Sequence, residues 1–190
     1  MLKSLFPALS LAAILAMPGL AQATDYTVDY AASEVAFTGE HAGNTFKGVF
    51  QDWKAEITFD PDDLANSTLS ASFKTNSAKT GDQTYDGTMP SPDWFNSSAT
   101  PDATFVSESI TANPDGSYKA TGPLTLRGLS RPVSFDFVVS DLATAPVTAT
   151  AEFSLARMTW NIGAKSDPDA EWVSSDIGVS LKIVASPANP

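Results

Sequence analysis

The residues that could do chemistry in this chain are few, and their spacing argues against most of it. His41 is the single histidine and there is no cysteine, so a zinc or haem centre would lack its usual ligands. A serine–histidine–aspartate triad would have to be built on His41, yet the chain has no Gly-x-Ser-x-Gly elbow to hold a nucleophile. His41 opens the turn-forming run His41-Ala42-Gly43-Asn44 and is expected to be a loop or rim residue. Carboxylates gather at Asp60, Asp62 and Asp63 and again at Asp167, Asp169 and Glu171. Neither group has calcium-loop spacing, and Pro61 and Pro168 mark turns, so both are read as solvated turns. These residues nominate no catalytic group and no metal site, and the expectation is that the protein is not an enzyme.

All three arginines fall between Arg127 and Arg157. Arg127 and Arg131 flank a turn, "RGLSR", and are read as solvated. Arg157 ends an alternating strand and precedes Trp160, so it is the arginine best placed to meet a polar ligand head.

The elements that must position these residues are strands. Period-two runs recur at residues 26–30, 34–40, 45–50, 53–60, 68–75, 103–111, 117–126, 132–140, 147–156 and 176–184, separated by turn formers. In "RPVSFDFVVS", Val133, Phe135, Phe137 and Val139 point one way while Ser134, Asp136 and Ser140 point the other, as in a half-buried strand. Short connections of this kind favour an all-β antiparallel meander that becomes a barrel or a sandwich. No long helix is predicted. Residues 79–100, "KTGDQTYDGTMPSPDWFNSSAT", break the rhythm yet carry Tyr85, Met89, Trp94 and Phe95, which predicts a short helix and loop acting as a lid. Residues 186–190 are expected to fray.

The inward parity mixes large and very small side chains: Tyr118, Ala120, Gly122, Leu124 and Leu126 share a face, as do Val147, Ala149, Ala151, Phe153 and Leu155. A barrel of about eight strands is just wide enough to be filled by side chains or to hold one small ligand. Small residues on its inner face leave room for a guest, or let large neighbours interdigitate in a filled core; periodicity alone leaves both open. If there is a guest, its lining is nominated by parity: Phe37 and Phe50, Trp53 and Ile57, Phe73, Phe105 and Leu124. Phe135, Phe137, Ala149, Ala151 and Phe153 continue it, Met89, Trp94 and Phe95 come from the lid, and Arg157 and Trp160 close the set.

Composition bounds the partners and the compartment. The formal charge of −11 repels phosphate backbones and anionic lipid head groups, so no nucleic-acid partner is expected. Lys3, the apolar run at residues 5–17, Pro18-Gly19 and Ala21-Gln22-Ala23 predict a cleaved secretory signal at residues 1–23, with a single domain at residues 24–190. An exported chain without cysteine must be held by burial and hydrogen bonding alone.

Several segments together resemble the YceI family: "YTVDYAASEVAF" at 26–37, "FKGVFQDWKAEITFDPDDL" at 46–64, Thr80-Gly81 followed by "DWF" at 93–95, "TPDATF" at 100–105, "GPLTLRGLSRPV" at 122–133 and "ARMTWNIG" at 156–163. The resemblance implies an extended, eight-stranded, lipocalin-like antiparallel barrel in the bacterial periplasm, with a hydrophobic cavity for a polyisoprenoid or similar amphiphile. It implies no cofactor other than a bound isoprenoid or quinone-like lipid. Members are also found as homodimers or joined to cytochrome b561-type membrane domains. Where many members carry Arg-Asp or Asn-Asp followed by His-Leu in the lid, this chain has Tyr85-Asp86 followed by Thr88-Met89. The functional expectation is an exported carrier or sensor of an isoprenoid-like amphiphile. Its alternatives are a quinone-linked redox accessory or enzyme near the membrane, and a structural β-protein with a filled core.

Overall fold

The computed structural model describes residues 23–140 and 142–188. Residues 1–22, and with them nearly all of the expected signal segment, lie outside the described residues. Twelve strands carry the fold: β1 Thr24–Val28, β2 Glu34–His41, β3 Asn44–Phe50, β4 Trp53–Phe59, β5 Thr68–Lys74, β6 Ala78–Lys79, β7 Asp102–Val106, β8 Ser109–Ala112, β9 Tyr118–Leu126, β10 Leu129–Val139, β11 Val147–Ala156 and β12 Asp176–Pro187. Among the described residues, one short α-helix, α1 at Gln83–Thr88, and two 3-10 turns, Thr75–Ser77 and Arg157–Trp160, complete it.

The strands β1, β4, β5, β7, β9, β10, β11 and β12 follow one another around a ring, and β12 returns to β1. Eight antiparallel strands therefore close a barrel, which leaves the ring no open edge. Strand β12 is shared between two neighbours on one side: residues 178–182 pair with β2, and residues 185–187 pair with β1. The β2–β3 hairpin thus extends the wall at one end of the barrel, and β3 passes on to β6 and the lid.

Turn chemistry sets the registers. Ala42 and Gly43 both have positive φ (48° and 78°), as do Arg127 and Gly128 (53° and 72°), which is the backbone a two-residue type I′ hairpin requires. The second of these turns aligns β9 with β10 from Leu126↔Leu129 to Tyr118↔Phe137. Along β10 the alternation is as the sequence predicts, with Val133 and Phe137 buried, Phe135 and Val139 half-buried, and Ser134, Asp136 and Ser140 exposed.

Two local expectations are corrected, and one open alternative is resolved. The run at 103–111 is two strands: β7 pairs with β5 and β9, then the chain jogs at Ser107 and Glu108 before β8 pairs with β9. Gly122 accommodates the jog, because the Val106 carbonyl occupies the space a Cβ there would need. Ala120, fully buried against Ile110 and Phe105, and Gly122 therefore accommodate neighbouring chain rather than a guest. Residues 186–188 do not fray, since Ser186 and Pro187 pair with β1 and the Ala188 N–H donates to the Asp25 carbonyl (2.8 Å).

Candidate functional site: an apolar chamber under a lid

Inside the barrel lies a chamber of about 470 Å³, in the size range of sites that enclose a small molecule. Ile57, Leu69, Phe135 and Phe153 are only half-buried although the barrel surrounds them, because the surface they expose is the chamber's. Two packed clusters bound it. Phe59, Phe137, Ala151 and their neighbours fill one region, and Leu126, Val133, Trp160 and Ile162 fill another beneath Trp94 and Phe95.

A chain of ring contacts leads from the end of β2 to the second of these clusters, against which Phe73 and Phe95 pack. His41 meets Tyr85 edge-on (centroids 5.3 Å apart), Tyr85 meets Phe46 (5.8 Å), Phe46 meets Phe37 (6.4 Å), and Phe37 meets Phe50 (5.5 Å). Phe50 continues to Phe73 (5.6 Å) and Phe95 (6.0 Å). Glycine makes this wall possible. Phe37 lies across Gly48 and Phe46 across Gly39, their cross-strand partners, in space where a Cβ would collide with each ring.

All seventeen residues nominated from sequence line the chamber. Phe37, Phe50, Trp53, Ile57, Phe73, Phe105 and Leu124 come from β2 to β9, and Phe135, Phe137, Ala149, Ala151 and Phe153 from β10 and β11. Met89, Trp94, Phe95, Arg157 and Trp160 also contribute to the wall. Residues that the sequence reading did not nominate complete it: Phe46, Tyr85, and the inner face of β12, Ile177, Val179, Leu181 and Ile183. The β12 residues carried the same period-two signal as the rest. His41 also reaches the wall, from the end of β2.

Arg157 is placed differently from its expected role. Its side chain is 1% exposed and all five N–H directions are used within the protein. Nε donates to the Ser174 carbonyl (3.1 Å), one terminal nitrogen to Ile162 O (2.6 Å) and Met158 Sδ (3.3 Å), and the other to Val173 O (3.0 Å) and to Asp167. This arginine braces the loop at the chamber's end and has no donor left for a ligand head. Asp167, expected in a solvated turn, is instead buried beside it. Burial alone would raise its pKa, but the N–H groups of Val173, Trp172 and Glu171 and the Arg157 guanidinium outweigh this and hold the carboxyl below its usual range. Arg127 is likewise not simply solvated: it donates to the carbonyls of Asn161, Trp160 and Pro92, tying the β9–β10 turn to the lid loop.

The lid is docked by carboxylates. Asp82 caps α1 by accepting from the N–H groups of Thr84 and Tyr85 (2.8 and 3.1 Å), as an N-cap should. Asp86 accepts from the Thr80 N–H and hydroxyl (2.7 and 2.9 Å), and the N–H bond first of all keeps its pKa low. Asp93 holds Lys165 N–H and the Ser166 N–H and hydroxyl. The Tyr85 hydroxyl and His41 Nδ1 lie 2.8 Å apart and join the lid helix to the end of β2. Thr84 and Thr88 both line the chamber and are exposed, so the chamber meets solvent beside α1.

A closed antiparallel barrel around a ligand-sized apolar chamber defines a lipocalin-like binding barrel. The chain belongs to the YceI family: the YceI-like domain matches residues 26–185. A UPF0312 protein of Pseudomonas aeruginosa is 35% identical over 137 residues, covering 70% of this chain and 71% of its own. A UPF0312 protein of Vibrio parahaemolyticus is 32% identical over 139 residues, 72% and 73% of the two chains. Among solved structures, Burkholderia cenocepacia BcnA is 27% identical with a TM-score of 0.80, covering 84% of this chain and 100% of that one. A polyisoprenoid-binding domain from Saccharophagus degradans, implicated in plant cell wall breakdown, shares the fold at 13% identity (TM-score 0.67, 85% and 98% covered).

Proposed function

We propose that this protein is an exported, non-enzymatic carrier or sensor that holds the tail of an isoprenoid-like amphiphile, a polyisoprenoid or a prenylated quinone, inside the barrel. The observation that carries the reading is the chamber itself, walled by apolar side chains from β2 to β12 and covered by a docked lid. An apolar chain gains about 0.8 kcal/mol per buried methylene, so several isoprene units bind well with little help from polar groups. Membership of the YceI family and the polyisoprenoid-binding description of a protein of the same fold support the tail chemistry. The signal-like segment at residues 1–23 supports the periplasm as the place of action. A filled structural core is the weaker reading, because Ile57, Leu69, Phe135 and Phe153 keep surface open to the chamber even though Phe59 and Phe137 meet across one part of the barrel.

The experiment is a titration of delipidated protein with prenyl alcohols of increasing length, followed by intrinsic tryptophan fluorescence. Trp53, Trp94 and Trp160 all line the chamber. Saturable binding that tightens with each added isoprene unit is expected. A length-independent or non-saturating response would remove the carrier reading.

A further inference from the structure

The lid consists of two pieces held in unlike ways. Residues 91–100 are fastened to the rest of the fold from several sides. The Gly163 N–H donates to the Asp93 carbonyl (2.8 Å), the Asp93 carboxylate accepts from Lys165 and Ser166, and Arg127 donates to the Pro92 carbonyl (2.9 Å). The buried Ser97 hydroxyl accepts from that of Thr75 (2.9 Å), which is also buried. Trp94 and Phe95 pack on the cluster of Leu126, Val133, Trp160 and Ile162. Lifting this piece would open the packed core itself.

Residues 80–88 are held lightly. Helix α1 has no buried residue, and its polar bonds are mostly internal to the piece. Asp82 caps it, the Thr88 hydroxyl donates to the Thr84 carbonyl (2.8 Å), and Asp86 accepts from Thr80. Lys79, at the end of β6, adds its charge to Asp86 and so anchors one end. A helix of six residues is too short to stand on propensity alone, and Gly87 weakens it by about 0.5 to 1 kcal/mol relative to alanine. A Cβ at Gly81 or Gly87 would meet nothing within 4 Å, so no neighbouring chain confines either position. Few buried contacts and open surroundings are the marks of a segment that moves before the core does.

One side chain ties this piece across to the barrel wall. Among the described residues, Tyr85 is the only residue of α1 with a side-chain hydrogen bond or ring contact to a strand: its hydroxyl lies 2.8 Å from His41 Nδ1, and its ring meets those of His41 and Phe46. Thr84 and Thr88, on the same helix, are exposed where the chamber meets solvent.

We propose, resting on the carrier reading above, that residues 80–88 are the door of the chamber, swinging as a self-capped unit between Lys79 and Met89 while residues 91–100 stay fixed, and that the Tyr85–His41 contact is its latch. With the latch open, Tyr85 leaves the row of rings and the way in runs past His41 and Phe46. The latch is remade whether or not a guest is inside. It therefore sets how fast a guest enters and leaves, and has little effect on how tightly it is held.

The test has two arms on delipidated mature protein, comparing the parent with Tyr85→Phe, which keeps the ring and removes the hydroxyl. In the first arm, NMR relaxation dispersion reads millisecond motion residue by residue. Dispersion should be confined to residues 80–88 and their neighbours His41 and Phe46, and Tyr85→Phe should raise the open population roughly three- to tenfold, the worth of one hydrogen bond. In the second, stopped-flow fluorescence follows uptake and release of N-phenyl-1-naphthylamine, an uncharged apolar probe with no head group for Tyr85 to hold. Both rates should rise by that same factor while Kd stays within about twofold. His41→Ala removes the other half of the latch and should act likewise, with the double variant adding little to either single change. Dispersion shared equally by residues 91–100 would overturn the proposal, because the lid then moves as one piece. A change in Kd with unchanged entry rate would also overturn it, because Tyr85 is then only part of the wall. Either result leaves the carrier reading intact. If neither this probe nor the prenyl alcohols bind, the carrier reading falls and the door with it.

Discussion

Asp167 Oδ2 lies 2.7 Å from an Arg157 terminal nitrogen, with 5% and 1% of the two side chains exposed. The pair joins the 3-10 turn after β11 to the loop that precedes β12, and the Trp94 ring lies against the guanidinium (5.7 Å to its centroid). Removing the carboxylate strands a buried cation, so Asp167→Ala should cost about 3 to 5 kcal/mol of stability. The Asp167 pKa is depressed in the fold. Its contribution is therefore present above the unfolded carboxylate value, about 3.9, and is lost as pH falls through the lower folded value. Melting curves below about pH 4 should show this loss in the parent and its absence in Asp167→Asn, which is less stable at neutral pH.

The Phe37 ring occupies the place of a Gly48 side chain. Gly48→Ala should therefore destabilise by about 1 to 3 kcal/mol through overpacking. The double variant with Phe37→Leu should lose less than the sum of the two single changes, because the two sites touch. Urea denaturation of the four proteins measures this coupling, and strict additivity would show that the ring moves aside freely.

Ala149 is half-buried and faces the chamber. Ala149→Leu places its extra atoms in the ligand's space, so delipidated protein should lose less than about 1 kcal/mol while prenyl-chain affinity falls at least tenfold. Gly122→Ala is the contrasting change, since its methyl meets the Val106 carbonyl and should destabilise protein with or without ligand. Both comparisons need delipidated protein, because bound lipid raises the apparent melting point.

The barrel and its lining were legible because their signal is local. Val133, Phe135, Phe137 and Val139 declare their face within one strand, and the aromatics of residues 79–100 mark a segment that must bury something without being a strand. What escaped depends on contacts between distant segments. The break between β7 and β8 is accommodated by Gly122, which lies beyond the following turn. Asp167 does stand in a turn beside Pro168, as read, but its carboxylate points inward to the N–H groups of Glu171, Trp172 and Val173 and to Arg157. Charge and turn composition cannot reveal that direction. The Arg157 head-group role failed for the same reason: besides Met158 and Ile162 of its own turn, Asp167 and the carbonyls of Val173 and Ser174 converge on it from the segment that precedes β12.

Export rests on the first residues of the chain. With Ala21-Gln22-Ala23 as the cleavage motif, N-terminal sequencing of protein from the periplasmic fraction should read from Thr24. Met1 retained on a membrane-bound product would contradict it.

The most direct test of a ligand-holding barrel is a native mass spectrum of protein purified from its own host without detergent or organic solvent. The account predicts a population heavier than the mature polypeptide by one lipid, which denaturation releases and organic extraction recovers as a prenyl-chain compound. A spectrum showing the bare polypeptide alone, from protein that also takes up no prenyl alcohol on incubation, would contradict it.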